Sequence, residues 1–174
     1  MELDLKRYRN ILCGLFLMAA LLLLSSCSDG STAADRLAEL CALFPEMPPV
    51  RVLCGGTDED NEACLTSRRA ARLYRGDEDG TVDCALLSDC AVALTKTTEL
   101  FEIHVFRMAG RSDEKPIRAL LEGRRKLILG GGLSEYAPAQ YYSVVENICI
   151  LREGNFLYLL VTPDNARIRS YLKK

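Results

Sequence analysis

The chain has no tryptophan and a single histidine, His104. One histidine excludes His-rich metal centres and leaves room for few catalytic dyads. No sign of charge dominates: 22 basic side chains face 24 acidic ones, for a net charge of -2. A nucleic-acid binder would show a basic stripe, so that class is excluded. Eight cysteines contain no Cys-x-x-Cys knuckle, which argues against a structural zinc site. The apolar run Ile11 to Leu24 spans 14 residues, well short of the roughly 20 that cross a bilayer comfortably. What the chain does have is 49% hydrophobic and 26% charged residues in a length of 174. That composition describes a folded protein with room for one ordinary domain.

The N-terminus reads as an address. Lys6, Arg7 and Arg9 precede the apolar run, whose length suits the h-region of a signal peptide. Leu24-Ser25-Ser26-Cys27 follows, in the pattern of a bacterial lipobox. Two small residues let the chain lie extended in a peptidase cleft, and the Cys27 thiol takes the diacylglyceryl group. The competing reading is an uncleaved anchor with an incidental cysteine. Cleavage before Cys27 removes 3 basic and 2 acidic side chains, leaving 19 and 22. So mild a charge gives no pull toward anionic lipid, and attachment rests on the acyl chains. The expected organisation is a signal peptide over 1–26, a tether over 27–34, a helical segment over 35–81 and an α+β domain over 82–174.

Within the mature chain, Leu37, Leu40, Cys41 and Phe44 form one helical stripe over Ala33 to Phe44, closed by Pro45, Pro48 and Pro49. Val50 to Leu53 suits a short strand. Gly55 to Glu62 is an acidic loop, and Leu65 to Arg75 a short helix with Arg68, Arg69 and Arg72 on one face. Strands are expected at Cys90 to Thr95, Leu100 to Met108, Val144 to Leu151 and Phe156 to Thr162. Glu153-Gly154-Asn155 marks a hairpin turn between the last two. A helix over 113–129 carries Ile117, Leu120, Leu121, Leu127 and Ile128 and stops at Gly130-Gly131-Gly132; a last helix follows Pro163. The β-β-α-β-β-α order implies an α+β fold. Its small antiparallel sheet would carry helices on one face and leave the other at least partly open.

The stretch Glu99 to Val161 holds a strand ending in Phe106, the run Leu121-Glu122-Gly123-Arg124-Arg125, and Tyr136, Pro138 and Tyr141. Val144-Val145-Glu146-Asn147 and Arg152-Glu153-Gly154-Asn155-Phe156 complete it. In this order and spacing it resembles the small bacterial lipoproteins grouped as domain of unknown function 4358. The resemblance implies a fold and an extracytoplasmic location, and no activity. Six cysteines besides Cys27 depart from the family pattern.

Those six are Cys41, Cys54, Cys64, Cys84, Cys90 and Cys149. Outside the cytoplasm an even count allows disulfides, and at least one is expected. Cys54–Cys64 would close the acidic loop, and Cys84 and Cys90 flank a possible turn. Cys41 and Cys149 suit buried free thiols. His104 shares a strand face with Glu102, read as the exposed face of the sheet. Glu102, Glu122, Glu135 and Glu146 show no carboxylate pairing and read as solvated surface. The glycine triplet follows a helix and lacks a Gly-Lys-Ser/Thr end, so it is no phosphate loop. Arg124 and Arg125, near Tyr136, Tyr141 and Tyr142, form the candidate ligand-binding cluster; the competing role is structural, the arginines pairing with Glu122 or capping the helix and the Tyr rings sealing the helix against the sheet. No cofactor or metal is expected. The expected function is a membrane-anchored extracytoplasmic lipoprotein, a non-enzymatic module binding an envelope protein or a small ligand. The rival is a thiol-dependent or redox enzyme of the envelope. A two-lobed solute-binding design needs a longer chain.

Overall fold

The computed structural model describes residues 30–97, 99–130 and 142–173. Cys27, Tyr136 and Tyr141 lie outside these residues. From Thr32 onward the chain is one compact unit with mixed α+β architecture. Among the described residues the α-helices are α1 (Ala33–Ala42), α2 (Ser67–Arg75), α3 (Glu114–Gly130), α4 (Tyr142–Glu146) and α5 (Asn165–Leu172). Its strands are β1 (Val50–Gly55), β2 (Cys64–Leu65), β3 (Cys90–Thr95), β4 (Glu102–Arg107), β5 (Cys149–Glu153) and β6 (Phe156–Val161). They form a single sheet in the order β2-β1-β3-β4-β6-β5. Only β1 and β2 run parallel. Segment 35–81 therefore adds two strands to the same sheet, beside its helices.

The sheet is covered on both faces, contrary to the expectation of helices on one side. Ala33, Leu37, Leu40 and Phe44 of the α1 region and Ile168 of α5 pack on Ala91, Ala93, Ile103, Val105, Tyr158 and Leu160. On the other face Ala70, Ala71 and Tyr74 of α2 and Ile117, Leu120, Leu121 and Ile128 of α3 meet Leu53, Val92, Phe106, Leu157 and Leu159. The cause is legible in β6: Phe-Leu-Tyr-Leu-Leu-Val is apolar at every position, and all six residues are buried. A strand apolar on both sides needs a layer on both sides.

Local signals explain most elements. Thr32 caps α1 in a reciprocal box with Asp35, whose carboxylate accepts from the Thr32 amide at 2.9 Å. Asp89, beside β3, accepts from the Ala33 amide at 2.8 Å and so ties the start of α1 to the sheet. Gly154, with φ of 53°, makes the β5–β6 turn, where a side chain would be strained. One expected strand is wrong in its first half. Residues 142–146 are helical and β5 begins only at Cys149. Val144 and Ile148, four apart, are the buried residues there, a helical spacing that the β-branched pair Val144-Val145 disguises.

Candidate functional site

Strand β4 carries Glu102, His104 and Phe106 on the face covered by α2 and α3. His104 is 0% exposed and Glu102 5%, so neither is a surface residue. The expectation of a solvated His104 and Glu102 is corrected here: polar residues alternating inside an all-apolar sheet go inward when both faces are covered. They are tolerated because their hydrogen bonds are made internally. His104 Nε2 lies 3.0 Å from Glu102 Oε2, and Tyr74 Oη of α2 lies 2.9 Å from His104 Nδ1. Arg124 of α3 grips the same carboxylate with both arms of its guanidinium: Nε donates to Oε2 at 2.9 Å, and Nη2 donates to Oε1.

The protonation pattern follows. Burial would raise the Glu102 carboxyl, but hydrogen bonds from His104 and Arg124, and the Arg124 charge, outweigh it and hold it at about 2. Burial pushes His104 below its ordinary value against the pull of Glu102. The imidazole is therefore neutral near pH 7. The carboxylate can only accept, so Nε2 carries the proton and Nδ1 accepts from the Tyr74 hydroxyl. Burial holds the Tyr74 hydroxyl well above its usual range, so it stays a donor. The chain Tyr74–His104–Glu102–Arg124 has one end in the core and the other at the surface.

That outer end opens into a cleft of about 1030 Å³ between β1, β3 and the helices α2 and α3. The strand register sets its floor: Arg51, Leu94 and Glu102 are side-by-side partners on β1, β3 and β4 and share one face. Five basic residues line the cleft, Arg51, Arg69, Arg72, Lys96 and Arg124, against the acidic Glu62 and Glu102. Two of the cations are engaged elsewhere. Arg69 donates to the carbonyls of Glu59 (2.7 Å), Cys64 (2.8 Å) and Asn61, which stitches the acidic loop to α2. Arg72 pairs with Glu78 at 2.7 Å. Arg51 and Lys96 have no side-chain hydrogen bond or ion pair among the described residues. Arg124 uses two of its five N–H groups on Glu102, leaving three. Gly123 is what lets α3 come so near: a Cβ there would stand 2.3 Å from the Tyr74 carbonyl oxygen.

A second cleft of about 430 Å³ lies at Phe44, Met47, Phe101 and Arg167. Its guanidinium is spent: Arg167 donates to the Leu43 carbonyl at 2.8 Å, pairs with Asp164 and sits over the Phe44 ring. The cationic cleft is the better candidate because it alone touches the buried polar chain.

Of the expected site residues, Arg124 lines the cleft, but its partner is Glu102 and not Glu122. Arg125 is outside the cleft lining and pairs with Glu122 at 3.6 Å. Tyr142 is exposed. Sequence reasoning missed Tyr74, Arg51 and Lys96, and misplaced Glu102 and His104. A usable signal was Glu-Ile-His-Val-Phe itself, with apolar neighbours on both faces.

The expected disulfide is absent: Cys41, Cys54, Cys64, Cys84, Cys90 and Cys149 are free thiols. Cys41 and Cys149 are half-buried against the α1–α5 layer, as apolar packing suggests. Burial raises the thiols of Cys41 and Cys54, and pushes Cys90 up to about 12. Among the described residues no group of three or more His, Cys, Asp or Glu could hold a metal ion, and no helix is long and apolar enough to cross a membrane. Comparison with family models, curated proteins and solved structures finds no match to this chain.

Proposed function

We propose that this chain is a lipid-anchored extracytoplasmic lipoprotein of the domain of unknown function 4358 group, cleaved before Cys27, whose folded part binds an anionic ligand in the cationic cleft. The signal-peptide pattern over residues 1–26 supports the location. The observation that carries the binding role is Arg124. Its guanidinium is locked by a bidentate carboxylate, backed by His104 and Tyr74, and keeps three donors at the mouth of a cleft with two unpaired cations. Such pre-orientation lowers the cost of ordering on binding. A planar fork suits a carboxylate or phosphate group. The buried His104 reaches no substrate, so the polar chain positions Arg124 and performs no acid–base step. Thiol catalysis has less support, because nucleophilic cysteines have lowered pKa values and those of Cys41, Cys54 and Cys90 are raised.

The test uses citrate and pyrophosphate as probes, titrated by calorimetry at low salt into the detergent-solubilised chain. Arg51→Ala with Lys96→Ala removes the two cations that make no side-chain hydrogen bond or ion pair among the described residues. Hydrogen bonds to charged groups contribute roughly 1.5–3 kcal/mol each, and 1.4 kcal/mol is tenfold, so the double variant should bind at least about tenfold more weakly with an unchanged melt. Equal affinity in the two proteins, or no binding of either probe, refutes the reading.

A further inference from the structure

Strands β1 and β2 are the parallel pair at one edge of the sheet, and their register sets Cys54 directly beside Cys64. Neighbouring strands lie about 4.8 Å apart, inside the roughly 4.4–6.8 Å Cα separation that disulfides span. Both side chains leave the same face. Their neighbours Leu53 and Leu65 point into the α2–α3 core, so by alternation Cys54 and Cys64 point the other way. Cys54 is exposed and Cys64 is buried. The backbone is already fixed there: Cys54 N–H donates to the Ala63 carbonyl at 2.9 Å, Cys64 N–H donates to the Asn61 carbonyl at 2.9 Å, and Arg69 holds the Cys64 carbonyl. Bridging needs side-chain rotation and a small approach of the two Cβ atoms, from the roughly 5 Å of cross-strand partners to the roughly 4 Å of a disulfide. Cys90 is on the opposite face, within the α2–α3 core.

We infer that Cys54 and Cys64 form a redox-sensitive modification site, which closes into a disulfide by exchange with an external organic disulfide. The exposed Cys54 thiolate attacks one sulfur of the donor, its proton passing to solvent. A mixed disulfide forms and one donor half leaves as a thiolate. The Cys64 thiolate then displaces the second half. The two cysteines are oxidised by two electrons, the donor is reduced to two thiols, and the two protons end on those thiols. Because burial and the neighbouring Cys64 raise the Cys54 thiol, the pair accepts oxidation slowly. The inference is independent of the ligand proposed for the cleft.

The experiment exposes the full detergent-solubilised chain to oxidised glutathione, alkylates the remaining thiols and maps peptides by mass. The expected result is a Cys54–Cys64 linked peptide lighter by two hydrogens, which dithiothreitol reverses, with Cys90 recovered alkylated after unfolding. In Cys54→Ser, an exposed substitution that leaves the core intact, Cys64 should stay unmodified. Glutathione persisting on Cys54 without closure, a bridge from Cys54 to Cys84, or Cys54 and Cys64 both recovered as thiols after other exposed thiols have reacted would each overturn it.

Discussion

Replacing Glu102 by glutamine tests the buried polar chain through acid sensitivity. The native carboxyl titrates at about 2, against 4.5 for an ordinary glutamate. The folded state therefore holds the ionised form more strongly than the unfolded state does. The resulting stability is fully present above about pH 4.5 and is lost as pH falls toward 2. At 1.36 kcal/mol for each pH unit between the two values, the contribution is about 3 kcal/mol. The side chain is almost fully buried, so solvent screening removes little of it. Glu102→Gln deletes the titration while keeping the shape. It also leaves Arg124 without its counter-charge, for a direct cost of about 3–5 kcal/mol at pH 7. Urea unfolding of both proteins from pH 7 down to pH 2.5, near the ends of the window, is the assay. The two stability curves should converge as the pH drops, because the wild type alone loses this increment. Other carboxylates titrate in both proteins and cancel in the difference; His104, which the Glu102 charge raises, does not, so its titration is followed by NMR in each protein and its contribution subtracted before the curves are compared. Curves that stay parallel across the window would refute the assignment of a buried, ionised Glu102.

Gly123→Ala should destabilise by about 2 kcal/mol or more in urea, because the new Cβ meets the Tyr74 backbone and α2 and α3 must part. Helix propensity alone forecasts the opposite sign, a gain near 1 kcal/mol, so the sign decides. Cys27→Ala should leave the precursor unprocessed or release the protein from membranes on fractionation; a processed variant that partitions like wild type would refute lipidation at Cys27.

Regular periodicity made most of the architecture readable. The stripe Leu37, Leu40 and Phe44 and the residues Ile117, Leu120, Leu121 and Ile128 face the core as their spacing requires. Leu157 and Leu159 separate from Phe156 and Tyr158 across the sheet, as strand alternation demands. The covering of the second face is legible in the all-apolar β6, whereas the β-β-α-β-β-α order implies one open face, and on that face Glu102 and His104 read as solvated. Polarity tells that a partner is needed, not whether that partner is solvent. Their partners, Tyr74 and Arg124, stand 30 residues before His104 and 22 after Glu102, and no local pattern reports pairing at that range. The same reason hid the cleft. Arg51 and Lys96 meet Arg124 only through strand register, whereas Arg124 and Arg125 look equivalent in sequence and differ only by the turn of the helix.

The layer formed by α1 and α5 has a bearing on when the protein can fold. Arg167 reaches the Leu43 carbonyl across 124 positions, and the Tyr171 hydroxyl donates to Glu39 at 3.1 Å across 132. Synthesis runs from α1 toward α5, so α1 can cover its share of the face holding Ile103 and Tyr158, but the share under Ile168 stays open until α5 has left the ribosome. Contacts so distant in sequence also form slowly. For the exported lipoprotein proposed above, threaded through a membrane in extended form, that delay would be a gain. The layer is complete only after α5 has arrived.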